Sequence, residues 1–100
     1  MFKISKKVRR LSTEEKTQYK QDGYLTGLPV FASDAKNDLN NFFVSLSQKV
    51  DKSVDINQTA QWHKASYKFY KLCTTPEILD YVEDLLGPNF FLWGGQFFLK

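Results

Sequence analysis

The chain has 100 residues, of which 42% are hydrophobic and 25% are charged, so it has the length of a single domain and a globular rather than a disordered composition. No run of about 18 or more apolar residues occurs, which argues against a membrane-spanning helix, and the basic N-terminus lacks the apolar core of a secretory signal. The only cysteine, Cys73, has no partner for an internal disulfide bond, which favours a reducing, cytoplasmic location.

The net charge of +3 is unevenly distributed, because residues 1–10 form a basic leader with five cations and no acid. The remaining ninety residues therefore carry −2. A basic tail can bind nucleic acid or lipid. However, no basic stripe with interleaved aromatic residues follows, so we favour a solvated leader and predict neither a nucleic-acid nor a membrane partner.

Two helices are predicted in the first half of the chain. Ser12 and Glu15 form a capping box at the start of the first, which should end near Asp22 and Gly23. The next segment, GYLTGLPV, reads as extended, with a short strand candidate at residues 24–30. The second helix should begin near Ser33 or Asp34. Its apolar stripe has helical spacing, and its opposite face is polar: the stripe is Leu39, Phe42, Phe43, Leu46 and Val50, and the polar residues are Lys36, Asn37, Asn40, Asn41, Ser45 and Gln48.

Two further helices follow a predicted loop, DKSVDINQ. The third should run from about Thr59 to Leu72. One side of it carries Trp62, Ala65, Phe69, Leu72 and Cys73. The fourth has Thr75 as N-cap, Pro76 at the first helical position and Glu77 in the first turn, and the Gly-Pro pair at residues 87–88 should end it.

The segment Asn89–Lys100 is rich in aromatic residues and has no charge before Lys100. It reads as a strand covered on both faces, with alternate residues in two rows. The glycine pair at residues 94–95 indicates a bulge or a close approach of the backbone to a bulky group. A strand of this kind needs partners on both edges, and the rest of the chain supplies only one short candidate.

Few residues offer chemistry. His63 is the only histidine, so metal sites built on two or three histidines are impossible within one copy of the chain. Cys73 lies ten residues from His63 on one predicted helix, about 15 Å of rise, and is better explained as a small core residue. The acids Asp80, Glu83 and Asp84 are predicted on the solvent face of the fourth helix, so acid–base catalysis is not expected there.

Gln96 is the polar side chain within the apolar strand, and a buried amide must be hydrogen-bonded. It can bond to a group within the sheet. Alternatively, Gln96 and Lys100, which share a pleat face beside Gly94, can bind a small carboxylate in the mouth of a barrel. The sequence leaves these two possibilities open.

Two stretches, QDGYLTGLPVF and CTTPEILDYVEDLLGPNFFLWGGQFFLK, resemble the phytanoyl-CoA dioxygenase family of iron(II)- and 2-oxoglutarate-dependent oxygenases. The likeness covers about Leu11 to Lys100, in the order helix, DGYL strand, long helix, PEIL helix, GPN turn and strand ending in Lys. It implies an α+β fold, in which this mostly helical part with one or two strands flanks a double-stranded β-helix, or jelly roll.

The resemblance also implies a cofactor and a cosubstrate. In relatives, the strand that matches residues 96–100 is followed by an H-x-D motif that supplies two iron ligands, and a distal His supplies the third. A distal Arg or similar group usually holds 2-oxoglutarate. None of these lies in this chain. Gln96 matches a position that contacts the cosubstrate, whereas a Lys that relatives often have is absent from DINQTAQ.

The sequence therefore predicts a basic leader at residues 1–10 and, at residues 11–100, the N-terminal portion of one oxygenase domain, truncated before its metal-binding motif. The complete enzyme would hydroxylate a small organic substrate. The fragment should be inactive, should not bind iron or 2-oxoglutarate stably, and could self-associate. The alternative is a small helical interaction module that pairs with a partner through its C-terminal strand.

Overall fold

The computed structural model describes residues 2–50, 53 and 62–96, and for His63 the backbone alone. This part of the chain is mostly helical. It contains α1 (Thr13–Asp22), a 3₁₀ turn (Ser33–Ala35), α2 (Lys36–Gln48), α3 (Trp62–Ala65), α4 (Tyr67–Cys73) and α5 (Pro76–Leu86). Its β structure is limited to single bridge positions, such as the antiparallel pair of Ile4 and Phe31.

The local signals for α1 are confirmed at both ends. The Ser12 hydroxyl accepts a hydrogen bond from the Glu15 amide at 3.1 Å, and the Glu15 carboxylate accepts one from the Ser12 amide at 3.0 Å. This is the predicted capping box. Gly23 ends the helix with a φ of +81°, a left-handed conformation that glycine adopts without steric cost.

The bounds of α5 are also confirmed, although the role of its N-cap residue is not the predicted one. The helix begins at Pro76 and ends at Leu86, before Gly87. The Thr75 side chain makes no capping bond to α5. Instead its hydroxyl donates to the Leu72 carbonyl at 2.7 Å, so Thr75 closes the end of α4 and fixes the corner between the two helices.

The prediction of one continuous third helix is wrong, because α3 and α4 are separated at Ser66. Ser66 adopts an extended conformation, and its hydroxyl accepts from the Phe69 amide at 3.1 Å, which makes it the N-cap of α4. Ala65, predicted on the inner side, is exposed. Residues 59–61 of the predicted helix lie outside the described residues, as does the predicted loop apart from Ser53.

The second helix is confirmed, with the 3₁₀ turn at its start. Its predicted polar positions are exposed and its predicted apolar stripe is half-buried. By contrast, the strand candidate at residues 24–30 is wrong. Gly27 has a φ of +73° and Pro29 lacks an amide donor, so the segment does not continue a ladder. It is held instead by the hydroxyl of Tyr81 on α5, which donates to the Pro29 carbonyl at 2.6 Å.

Part of the leader packs on the rest of the chain: its five cations are exposed, as a solvated leader predicts, whereas Phe2 is buried and Ile4, Ser5 and Val8 are half-buried, so the interpretation is wrong for these four residues. Phe2 is only 8% exposed and contacts the rings of Phe31 and Phe42 at centroid distances of 6.1 and 6.0 Å. The Ser5 amide donates to the Val30 carbonyl, and the Ala32 amide donates to the Lys3 carbonyl. These long-range contacts could not be inferred from the charge of the leader.

The closing segment, Asn89–Lys100, is not a strand at residues 89–95, and Gln96 is a single bridge position. The two predicted rows differ in exposure, because Phe90 and Leu92 are half-buried whereas Phe91 and Trp93 are 75% and 81% exposed. Coverage on both faces was therefore a wrong prediction for these residues: α4 and α5 cover one side, and the other side faces water. Residues 97–100 lie outside the described residues.

Candidate functional site

The backbone before Gln96 is held tightly against α3 and α4. The Trp62 amide donates to the Gly95 carbonyl at 3.2 Å. A Cβ atom built on Gly95 would lie 2.6 Å from Cε1 of Phe69, far inside the roughly 3.5 Å of ordinary carbon contact. Only glycine fits this position, which confirms the predicted close approach to a bulky group and names the group as the buried Phe69 ring.

The structure places Gln96 directly after this contact, as a half-buried side chain at a bridge position. Lys100, the second predicted cosubstrate contact, lies outside the described residues. The predicted pairing of Gln96 and Lys100 on one face therefore stays a prediction. The sequence located the close backbone approach through its glycine pair, but it gave no sign that Trp62 and Phe69 form the opposing surface.

An apolar groove of 570 Å³ lies between α4, α5 and the closing segment. Ile78, Leu79 and Val82 of α5 form one wall, and residues 90–92 form another. Cys73 also lines the groove and is half-buried, as predicted for a small inward residue. Burial raises the pKa of the Cys73 thiol, so little reactive thiolate forms near neutral pH, and the groove carries no activated nucleophile at this position.

The acidic cluster on α5 is occupied by the leader. The Arg10 guanidinium lies 3.4 Å from the Asp80 carboxylate, 3.7 Å from that of Glu83, and within hydrogen-bond distance of Asp84. Asp84 also accepts from the Leu11 amide at 3.0 Å, and its side chain is only 8% exposed. The prediction that Asp84 lies on the solvent face is therefore wrong.

These contacts make the cluster a clamp rather than an acid–base site. The hydrogen bonds from Arg10 and from the Leu11 backbone hold the pKa of Asp84 below its usual value, and the same pairing raises the pKa of Arg10. A carboxylate that stays ionised is a poor general acid. The opposite charges of the leader and α5 were visible in the sequence. Because Arg10 and Asp84 are 74 residues apart, however, the sequence did not show which residues would pair.

Residues 2–50, 53 and 62–96 contain no group of three His, Cys, Asp or Glu side chains that could hold a metal ion. The residues described here therefore do not fit an iron centre, and no chemical step is assigned to one. In the same part of the chain, none of the helices is long and apolar enough to cross a bilayer.

Comparison of the chain with protein-family models, with curated proteins and with solved structures gives no match in any of the three.

Proposed function

We propose that the chain is the N-terminal part of an iron(II)- and 2-oxoglutarate-dependent oxygenase similar to phytanoyl-CoA dioxygenases, a cytoplasmic enzyme that hydroxylates a small organic substrate. In this proposal the closing segment belongs to a jelly-roll barrel, and α1–α5 pack outside it. The observation that supports the proposal is the one-sided covering of residues 90–93.

The size of the uncovered surface favours a further layer of structure. Phe91 and Trp93 are 75% and 81% exposed, and their rings contact each other at a centroid distance of 6.2 Å. Together they leave roughly 300 Å² of aromatic surface in water, whose burial is worth about 7 kcal/mol at ~25 cal/mol per Å². Strands of a barrel beyond residue 100 would cover this face and supply the missing edge partners.

Within the proposal, this chain contributes a wall of the site and not its metal ligands. Gln96, fixed by the contact of Gly95 with Phe69, would donate or accept a hydrogen bond at the cosubstrate, and Lys100 would face the same side. A single histidine cannot complete the two-His, one-carboxylate triad that non-haem iron oxygenases use. The 100-residue chain alone should therefore be inactive and should not retain iron or 2-oxoglutarate.

The same face also supports a second candidate, a helical module that binds a partner protein. No strand is assigned at residues 89–95, so their backbone is not part of an internal ladder, and strand addition could pair it with the sheet edge of a partner. This alternative predicts a folded, functional product that ends at Lys100, whereas the oxygenase predicts an H-x-D motif within about twenty residues beyond it, already a long loop for a compact domain.

The test is to express the full open reading frame of the gene and to measure succinate formation from 2-oxoglutarate with iron(II). We expect turnover by the full product and none by the 100-residue chain. In the full product, Gln96→Leu should raise the KM for 2-oxoglutarate, whereas Gln48→Leu, at an exposed position on α2, should not. A reading frame that stops at Lys100, or turnover by the 100-residue chain itself, would overturn the proposal.

A further inference from the structure

A separate cavity of 480 Å³ lies between the first residues of the chain, α2 and the start of α4. This volume is within the range of roughly 300–1,000 Å³ that is typical of small-molecule sites. Its lining comes from segments far apart in sequence, represented by Phe2, Phe42 and Lys68. Gln96, the described residue assigned to the proposed oxygenase site, does not line it.

One face of α2 forms the longest wall of this cavity. The wall consists of Asp38, Asn41, Phe42, Ser45 and Leu46 of α2 together with the C-cap residue Lys49, which follow the i, i+3, i+4, i+7 spacing of a single helix face. The apolar members are half-buried and the polar members are exposed. Polar groups at the rim over an apolar floor are the arrangement that orients a small ligand with one polar end. The sequence alone indicated only a solvated position for Asn41 and Ser45.

Lys68 brings a positive charge to this cavity. Its Nζ atom lies 5.4 Å from the centroid of the Phe2 ring and 5.2 Å from that of Phe42, so both rings attract the ammonium group. Phe2 is itself buried against Phe31, and Lys68, although exposed, is drawn over the cavity by its two ring contacts. The ammonium group has three N–H donors. The faces of the two rings attract its charge but do not accept conventional hydrogen bonds from these donors.

The charges along α2 are separated in a way that leaves a cationic end. Lys49 adds a second ammonium group at the C-terminal end of the wall. Among the described residues of the lining the acid is Asp38, which lies eleven residues before Lys49, about 16 Å along the helix axis. Lys68 lies over Phe42, which is four residues from Asp38 and seven from Lys49, so a carboxylate bound to Lys68 avoids Asp38 by lying on the side toward Lys49.

We infer that this cavity binds a small organic carboxylate, with the carboxylate on Lys68 and the apolar body against Phe42 and Leu46. Ammonium–carboxylate hydrogen bonds are among the stronger polar contacts, and the two apolar side chains supply the floor. The site is independent of the proposed oxygenase activity, so either proposal can fail without the other.

Chemical-shift mapping of the ¹⁵N-labelled chain tests the inference with three probes of equal length: hexanoate, 1-hexanol and hexylammonium. We expect saturable shifts of the Asn41, Ser45 and Ser66 amides with hexanoate, and binding at least about tenfold weaker for the other two, because they lack the charge-assisted contact. Equal binding of 1-hexanol, or shifts centred on Val82 and Leu92 in the other groove, would overturn the inference.

Variants locate the carboxylate. Lys68→Met should weaken hexanoate binding about tenfold, the loss expected for one hydrogen bond between charged groups, whereas Lys68→Arg should retain most of it. The matched control is Lys71→Met on the same helix. Lys71 also lies over an aromatic ring, that of Tyr67 at 5.7 Å, but does not line this cavity.

Lys49→Met, at an exposed position, is a second test that leaves the contacts of Phe2 unchanged. This variant should bind hexanoate severalfold more weakly. The dispersion of each spectrum shows whether the variant is folded. Wild-type affinity in both Lys49→Met and Lys68→Met, or equal weakening in Lys71→Met, would contradict the assignment.

Discussion

The contact between Gly95 and Phe69 predicts that Gly95→Ala destabilises the fold substantially. The new Cβ atom would lie 2.6 Å from Cε1 and 3.1 Å from Cζ of the ring, so the closer contact is about 0.9 Å shorter than the roughly 3.5 Å of ordinary packing. Phe69 is 6% exposed and cannot swing into solvent. Overpacking of this kind costs about 1–3 kcal/mol, and we expect the free energy of unfolding to fall by about 2 kcal/mol.

Urea denaturation followed by circular dichroism measures this change, and a double-mutant cycle with Phe69→Leu isolates its cause. The smaller Leu side chain should relieve the clash, so Gly95→Ala should cost at least about 1 kcal/mol less in the Phe69→Leu background than in the wild type. Strict additivity of the two substitutions, or a Gly95→Ala variant as stable as the wild type, would refute the close approach.

Three further outcomes are expected. Tyr81→Phe removes the hydrogen bond to the Pro29 carbonyl and should lower the free energy of unfolding by about 1 kcal/mol, whereas Tyr67→Phe, at a 73% exposed side chain, should change it little in the same urea titration. Because the pKa of Asp84 is lowered in the folded state, its contribution to stability is complete above the unfolded pKa of about 3.9 and is lost as the pH falls through the folded pKa. Asp84→Asn should therefore reduce the difference between the urea midpoints at pH 7 and pH 3. An unchanged difference would contradict the clamp. The Cys73 thiol should react with a disulfide reagent at pH 8 more slowly than free cysteine does, since burial raises its pKa, and at the ordinary rate in urea; equal rates without urea would contradict its burial.

Sequence reasoning succeeded where the determinants are local. The ends of α1 follow from Ser12, Glu15 and Gly23, all within twelve residues, and the bounds of α5 follow from Pro76 and Gly87. At some of these ends a nearby side chain bonds the free backbone groups of the helix. At the others the helix stops at a residue that cannot continue it. Such signals can be read without knowing what packs on the helix.

The failures concern contacts between distant segments or residues with two possible roles. Ser66 interrupts a run with helical spacing because its hydroxyl caps α4, and Thr75 bonds backwards to Leu72 although it stands at an N-cap position. Serine and threonine hydroxyls can bond in either direction along the backbone, so sequence position alone does not decide between them. The docking of Phe2 and the clamp of Arg10 on Asp84 depend on tertiary structure.

The candidate site could be predicted only in part. The glycine pair at residues 94–95 indicated a close approach, and period-two alternation placed Phe91 and Trp93 in one row, although it predicted that row to be covered rather than exposed. The cavity beside Lys68 could not be foreseen, because it requires the first residues of the chain to return to α2. From their polarity alone, residues of this wall such as Asn41 and Ser45 are predicted to face only solvent.

The solvent accessibility of Trp93 tests the central claim most directly, namely that further barrel strands cover the aromatic face of the closing segment. In a Trp62→Phe background Trp93 is the only tryptophan among these 100 residues; any tryptophan beyond them is also replaced by phenylalanine, so that iodide quenching of the fluorescence reports the exposure of the Trp93 side chain. We predict strong quenching in the 100-residue chain and weak quenching, with a blue-shifted emission, in the product of the full reading frame. Equal, strong quenching in both would show that nothing covers this face and would contradict the account.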